Sequence, residues 1–76
     1  MPHVNIKLWP GRSEKQKAQL AEEVTKALMK TIGSSEDSIS VAIEDVPSNQ
    51  WTQTVYNPEI RDRPATIYKK PGYSPS

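Results

Sequence analysis

The sequence contains no cysteine and only one histidine among its 76 residues. The absence of cysteine excludes disulfide bonds and thiolate ligands, and a single histidine cannot build a zinc centre of ordinary ligand spacing. We therefore predict no metal site. A chain this short also buries a small fraction of its surface, so association with further copies is the usual remaining source of stability.

The chain also has no large excess of charge of one sign and no long apolar run. Ten basic residues stand against nine acidic ones, and the net charge is +1. Because these charges are spread along the chain, the basic patch of a nucleic-acid-binding protein is missing, and we expect no nucleic-acid partner. No apolar run is long enough to span a bilayer, and the N-terminal segment lacks the apolar core of a signal peptide. We therefore predict a cytoplasmic protein that has no membrane partner.

Two segments of the chain show the alternation that is typical of half-buried strands. Residues 2–9 alternate apolar and polar side chains, and the alternation returns at Ile39, Val41 and Ile43. Pro2 shares the parity of the apolar set in the first segment. We therefore expect its nitrogen to lie on the buried side of the sheet or at its rim.

The segment between the two strands has the period of a helix. Ser13 and Gln16 have the spacing of a capping box, apolar residues then recur at three- and four-residue steps, and Gly33 is well placed to end the helix in the left-handed conformation. A strand, a helix and a second strand predict a βαβ unit with a right-handed crossover and parallel strands.

The last third of the chain is rich in proline. We predict a turn of helix with Asn57 as cap and Pro58 at its first position, followed by a third short strand over residues 65–68. The prediction for the whole chain is an α+β fold of one domain over residues 1–76. It consists of the βαβ unit and a C-terminal arm over about residues 57–76, and it oligomerises to extend the sheet.

Several short motifs accompany this pattern: Pro2-His3, Ile6-Lys7, Gln16-Lys17, Asp37-Ser38-Ile39-Ser40, Trp51 and Lys69-Lys70-Pro71-Gly72-Tyr73. Together they resemble the 4-oxalocrotonate tautomerase family over nearly the whole chain, and in particular one bacterial branch of it. The segment Gly11-Arg12-Ser13 is similar to the hexameric members instead. The resemblance implies small βαβ subunits that form a homo-oligomer. The ending favours a dimer, and a hexamer is the alternative.

The resemblance also implies roles for individual residues. Pro2 matches the catalytic proline of the family, Arg12 its first substrate-binding arginine, and Trp51 an aromatic residue that lines the site. Where the namesake enzymes carry a second arginine, this chain has Ser40. Its hydroxyl is a candidate substrate-binding group, and a serine that faces solvent is equally consistent with the pattern.

Tautomerisation requires a base that takes and returns one proton, and it requires no cofactor. Removal of Met1 would make the Pro2 nitrogen a secondary amine, and both burial and the positive charge of Arg12 would lower its pKa. The expected function is cofactor-independent keto–enol tautomerisation of small unsaturated or aryl 2-oxo acids. A monoacid such as phenylenolpyruvate is favoured over a diacid because the second arginine is missing.

Two other functions are consistent with the sequence. A hydratase or dehalogenase of haloacrylates would use a charged Pro2 as acid, together with a carboxylate that activates water. A non-catalytic oligomeric binding protein would result if Met1 were retained, because the Pro2 nitrogen would then be an amide without basicity. The lone His3 has the opposite parity to Pro2, and we predict a structural role for it.

Overall fold

Two parallel strands and one long helix form the body of the protein, which a computed structural model describes over residues 1–75. The first strand, β1, covers His3–Leu8, the helix α1 covers Glu14–Ile32, and the second strand, β2, covers Ser40–Asp45. Four shorter elements complete the α+β fold: 3₁₀ turns at Glu36–Ser38, Ser48–Gln50 and Pro64–Thr66, and a π-helix at Thr52–Arg61.

The sheet confirms the predicted parallel pairing. β1 and β2 are direct neighbours, in a register that runs from His3 opposite Ser40 to Leu8 opposite Asp45. Lys17 of α1 donates a hydrogen bond to the Asp45 carboxylate at 3.0 Å, so α1 covers the face that carries Asp45 and Leu8. Because side chains alternate along a strand, Val4 and Ile6 share that face, and the other face is polar.

Both ends of α1 are formed as predicted. The Ser13 hydroxyl accepts the backbone N–H of Gln16 at 3.1 Å, and the Gln16 side chain accepts the backbone N–H of Ser13 at 2.9 Å. At the other end, Gly33 takes φ of 70°, a left-handed conformation that glycine adopts without a steric penalty. These local signals fix the length of α1.

The predicted helix start at Asn57 and Pro58 is wrong. The π-helix begins at Thr52 and contains Pro58 in its interior. In an α-helix a proline removes one hydrogen bond and clashes with the carbonyl four residues earlier. The wider turn avoids this clash, and the N–H of Asp62 donates to the carbonyl of Asn57, five residues back, at 3.1 Å.

The predicted third strand over residues 65–68 is also wrong. A 3₁₀ turn covers Pro64–Thr66, with Arg63 as its N-cap residue. Both the backbone N–H and the hydroxyl of Thr66 donate to the carbonyl of Arg63, at 3.1 and 2.9 Å. The fixed φ of Pro64 suits the first position of such a turn. Local hydrogen bonds therefore stabilise a turn at this position in place of a strand.

Only two residues, Val46 and Val55, are buried among residues 1–75, and they keep 8% and 5% of their surface exposed. Val46 follows β2, and its N–H donates to the carbonyl of Leu8 at 2.8 Å. Large apolar side chains such as Met29 and Ile32 lie exposed on α1. None of the helices in this part of the chain is long and apolar enough to cross a membrane.

Candidate active site

Pro2 and Ser40 lie together at the end of the sheet where β1 begins. Pro2 is half-buried, in agreement with its parity, and its carbonyl accepts the backbone N–H of Ser40 at 3.2 Å. The Ser40 hydroxyl and the Nδ1 atom of His3 share a hydrogen bond of 2.6 Å. This pair lies on the exposed polar face, so the Ser40 hydroxyl already has a partner within the chain.

A cavity of about 550 Å³ opens at the other end of β1. Its lining consists of residues from β1, the loop that follows it, the start of the π-helix and the C-terminal arm: Lys7, Leu8, Trp9, Arg12, Trp51 and Tyr73. The structure thus brings together the two predicted binding residues Arg12 and Trp51. No acidic side chain lines the cavity in the described part of the chain, and nothing there favours the hydratase alternative.

Arg12 is the cation of this cavity that has no ion-pair partner in the described part of the chain. Lys7 also lines it, but its ammonium group forms an ion pair with the Glu59 carboxylate. The hydrogen bond to Glu59, together with the attraction of the negative charges of Glu59 and Glu44, raises the pKa of Lys7. Arg12 is exposed and forms no ion pair within residues 1–75, which leaves its guanidinium available to an anionic ligand.

Aromatic side chains form the rest of the cavity wall. The indole N–H of Trp51 donates to the hydroxyl of Tyr73 at 2.9 Å. The Tyr73 ring also packs against Tyr56, with ring centroids 5.7 Å apart and planes tilted by 47°. Trp9 lies about half exposed on the cavity. Such walls suit a flat conjugated or aryl group next to the charge of Arg12.

The four predicted site residues fall into two pairs that are far apart within one chain. Pro2 precedes β1, and the part of β1 that lines the cavity is its last two residues, Lys7 and Leu8. Five to six residue steps of an extended strand span about 16–20 Å. A small acid bound at Arg12 in the cavity of one chain therefore does not reach the Pro2 nitrogen of that same chain.

The sequence did not indicate a site role for four residues that line the cavity, namely Lys7, Leu8, Trp9 and Tyr73. A signal existed for three of them. Lys7 and Tyr73 belong to motifs that contributed to the resemblance, and Trp9 stands between the strand and the turn that follows it. These sequence features did not predict that the C-terminal arm folds back onto Trp51.

Comparison with known proteins identifies the family. The family profile described as "Tautomerase enzyme" matches residues 2–56, which is more than two thirds of the chain. The chain belongs to the tautomerase family. Among relatives, Tautomerase PptA of Pectobacterium carotovorum is 43% identical over 75 residues, which cover 97% of this chain and 99% of that protein. A probable tautomerase of Xylella fastidiosa is 40% identical over 73 residues, covering 96% and 89%.

Solved structures give the same family. A 4-oxalocrotonate tautomerase isozyme from Methylibium petroleiphilum superposes with a TM-score of 0.63 at 40% identity, covering 66% of this chain and 81% of that one. TomN, a 4-oxalocrotonate tautomerase homologue of the tomaymycin biosynthetic pathway, gives 0.64 at 29% identity, covering 86% and 97%. The resemblance seen in the sequence is confirmed, and the protein is an isomerase of the tautomerase type.

Proposed function

We propose that this tautomerase interconverts the enol and keto forms of small aryl or unsaturated 2-oxo acids, with Pro2 as general base and Arg12 as carboxylate-binding residue. The observation that carries the proposal is the unpaired Arg12 guanidinium beside Trp51 in a cavity with aromatic walls. No cofactor is part of the proposed reaction. The cytoplasmic location and the lack of a nucleic-acid partner stay predictions.

Catalysis by Pro2 requires that Met1 be removed, and Met1 is fully exposed to solvent. Its removal would turn an amide nitrogen into a secondary amine held by the proline ring. Pro2 is half-buried, and burial would disfavour the charged form of such an amine. In the proposed reaction the neutral amine takes the enol hydroxyl proton. It then returns a proton to C3, which leaves the 2-oxo acid and regenerates the base.

Arg12 and Trp51 divide the recognition of the substrate between them. The planar guanidinium can bind both oxygens of a carboxylate, which fixes one end of the acid. The indole of Trp51 offers a surface for a conjugated or aryl group. Ser40 stands where related enzymes carry a second arginine, and its hydroxyl is bonded to His3. A monoacid such as phenylenolpyruvate therefore fits better than a diacid.

We further propose that the complete site forms between copies in a homo-oligomer, for which we favour a dimer over a hexamer. Within one chain about 16–20 Å of strand separates Pro2 from the cavity. Each strand of the two-stranded sheet has one neighbour, so one edge of each is open to extend the sheet. In such an assembly Pro2 of one copy acts on an acid held by Arg12 and Trp51 of another.

The test uses full-length protein whose N-terminus has been verified by intact mass. Ketonisation of phenylenolpyruvate is followed by absorbance, and we expect Pro2→Ala to lose at least about 100-fold in kcat because a freely rotating primary amine replaces the secondary amine held by the proline ring. A matched control is wild-type protein with a retained N-terminal extension, in which the Pro2 nitrogen stays an amide. Equal rates for mature wild type, Pro2→Ala and the extended protein would contradict the assignment.

A further inference from the structure

We infer, building on the proposed function, that Tyr73 is a positioning residue that holds the Trp51 indole as a fixed wall for aryl groups. By this contact the C-terminal arm would make the site selective for aryl over aliphatic 2-oxo acids. The inference concerns a part of the chain that lies beyond the family match at residues 2–56.

The contact restrains the indole of Trp51 at its only polar atom. Trp51 Nε1 is a donor and cannot accept, and its partner at 2.9 Å is the Tyr73 hydroxyl. Tyr73 is itself restrained from the other side, because its ring packs against Tyr56 of the π-helix at a centroid distance of 5.7 Å. The hydrogen bond therefore joins the arm to the start of the π-helix and sets the plane of the indole.

The bond lies in the cavity wall and not in the protein interior. Both Trp51 and Tyr73 line the cavity that contains Arg12, and Tyr73 is 49% exposed. The buried residues of the described part of the chain, Val46 and Val55, do not line this cavity. Loss of the Tyr73 hydroxyl is thus expected to change the shape of the cavity more than the stability of the fold.

A fixed indole affects the two classes of acid differently. An aryl ring gains from an offset or edge-to-face arrangement with the indole, which requires that the indole plane be held. A flexible alkyl chain adapts to an indole that has turned. Arg12 binds the carboxylate of both classes equally, so the difference between them falls on the wall formed by Trp51 and Tyr73.

The decisive experiment measures binding of two unreactive monoacids, cinnamate and hexanoate, to full-length protein. We expect Tyr73→Phe to weaken cinnamate binding about fivefold, the effect of one lost hydrogen bond, and to change hexanoate binding by less than about twofold. The matched control is Tyr68→Phe, because Tyr68 is 99% exposed and lies outside the cavity. It is expected to leave both affinities unchanged. With phenylenolpyruvate, Tyr73→Phe is expected to raise KM by a similar factor at constant kcat.

A spectroscopic readout tests the contact without any ligand. The chain has two tryptophans, so Trp9→Phe leaves Trp51 as the only fluorophore of that kind. In this background Tyr73→Phe is expected to shift the emission maximum of Trp51, because the indole N–H loses its partner. As a further check, Tyr73→Phe is expected to have no additional effect on cinnamate binding once Trp51→Phe has removed the donor.

Equal weakening of cinnamate and hexanoate, or an unchanged Trp51 emission, would overturn the inference. The two proposals can fail separately. A protein that depends on Pro2 for ketonisation but whose cinnamate affinity is insensitive to Tyr73→Phe contradicts only the role of Tyr73. A protein that shows the Tyr73-dependent preference for cinnamate but does not ketonise phenylenolpyruvate contradicts only the proposed function.

Discussion

Arg12 occupies a position where a cation gains nothing from its own helix. It directly precedes Ser13, the N-cap of α1, and the positive end of the helix dipole disfavours a nearby positive charge. No carboxylate within residues 1–75 pairs with it. A bound carboxylate would be attracted by both the guanidinium and the helix end, and in the proposed function this attraction accounts for the position of Arg12.

Substitution of Arg12 tests this explanation. We expect Arg12→Ala to raise the KM for phenylenolpyruvate about 10- to 100-fold, since a charged hydrogen-bond partner contributes about 1.5–3 kcal/mol. Arg12→Lys keeps the charge but loses the planar fork, so an intermediate KM is expected. Steady-state kinetics measure both variants. Arg63→Ala is the control, because Arg63 is exposed and lies outside the cavity. An equal rise in the KM of the Arg63→Ala variant would count against a specific role for Arg12.

At the scale of elements, the end of α1 depends on one backbone conformation. Gly33 takes φ of 70°, and no atom lies within 4 Å of the position that a Cβ would occupy. A side chain would therefore meet no neighbour, and its whole cost would be the left-handed backbone. Gly72 also has open space around it but carries no positive φ.

These two glycines form a matched pair. Gly33→Ala is expected to lower the free energy of unfolding by about 1 kcal/mol, because alanine is strained in the left-handed region. Gly72→Ala is expected to change it by less than about 0.5 kcal/mol. Urea denaturation followed by circular dichroism measures both. Equal destabilisation by the two variants would show that the conformation of Gly33 is not what ends α1.

The π-helix is attached to β1 by the ion pair between Glu59 and Lys7, whose side chains are 41% and 23% exposed. We expect Glu59→Gln to lower the denaturation midpoint at neutral pH. Because the pair raises the pKa of Lys7, its contribution is fully present below the ordinary lysine value of about 10.4. It is lost as pH rises through the higher pKa of the folded protein. The difference in denaturation midpoint between wild type and Glu59→Gln should therefore persist to about pH 10 and become smaller at higher pH.

A surface pair provides the control for this experiment. Glu23 lies 3.6 Å from Lys26 on α1, and both side chains are more than half exposed. Glu23→Gln is expected to have little effect at any pH, since exposed pairs contribute little. A larger loss for Glu23→Gln than for Glu59→Gln would contradict the role given to the Lys7 pair.

The elements that sequence predicts correctly are those set by local patterns. The alternation of apolar and polar residues predicts β1 and β2. The capping box at Ser13 predicts the start of α1, and Gly33 predicts its end. The C-terminal third depends on contacts between distant residues. The bond from Trp51 to Tyr73 spans 22 positions, and the pair of Lys7 and Glu59 spans 52. No periodicity encodes such contacts, so the attachment of the π-helix to β1 and of the arm to Trp51 was not predicted. The 3₁₀ turn at Pro64–Thr66 was missed for a different reason, because local hydrogen bonds and the fixed φ of Pro64 outweigh strand alternation there.

At the scale of the whole molecule, one chain carries the two parts of the proposed site at opposite ends of β1. Family resemblance identified Pro2, Arg12 and Trp51, and the predicted parallel sheet did not reveal that they are separated. A sequence pattern predicts which face of an element a residue occupies. It does not predict which copy of the chain supplies the other residues of the same site. Only the arrangement of β1 relative to the cavity makes the separation visible.

Mixing two impaired variants tests whether copies share the site. Pro2→Ala and Arg12→Ala are unfolded together in equal amounts and refolded, and phenylenolpyruvate ketonisation is measured at a substrate concentration well below KM, where both variants are impaired. Random association gives about a quarter of the sites an intact Pro2 and an intact Arg12 from different chains, so about a quarter of wild-type activity is expected. Each variant refolded alone is the control. A mixture no more active than these controls would indicate that each chain forms its own site.

The two buried valines, Val46 and Val55, have a consequence for how the protein is maintained in a cell. A small interior leaves little surplus over the conformational entropy lost on folding, so association with further copies would add to stability. In the proposed homo-oligomer, folding and association form a single equilibrium, and dilution shifts it towards the unfolded chain by mass action. The melting temperature would rise with protein concentration, and expression level would set the folded fraction as well as the amount of enzyme.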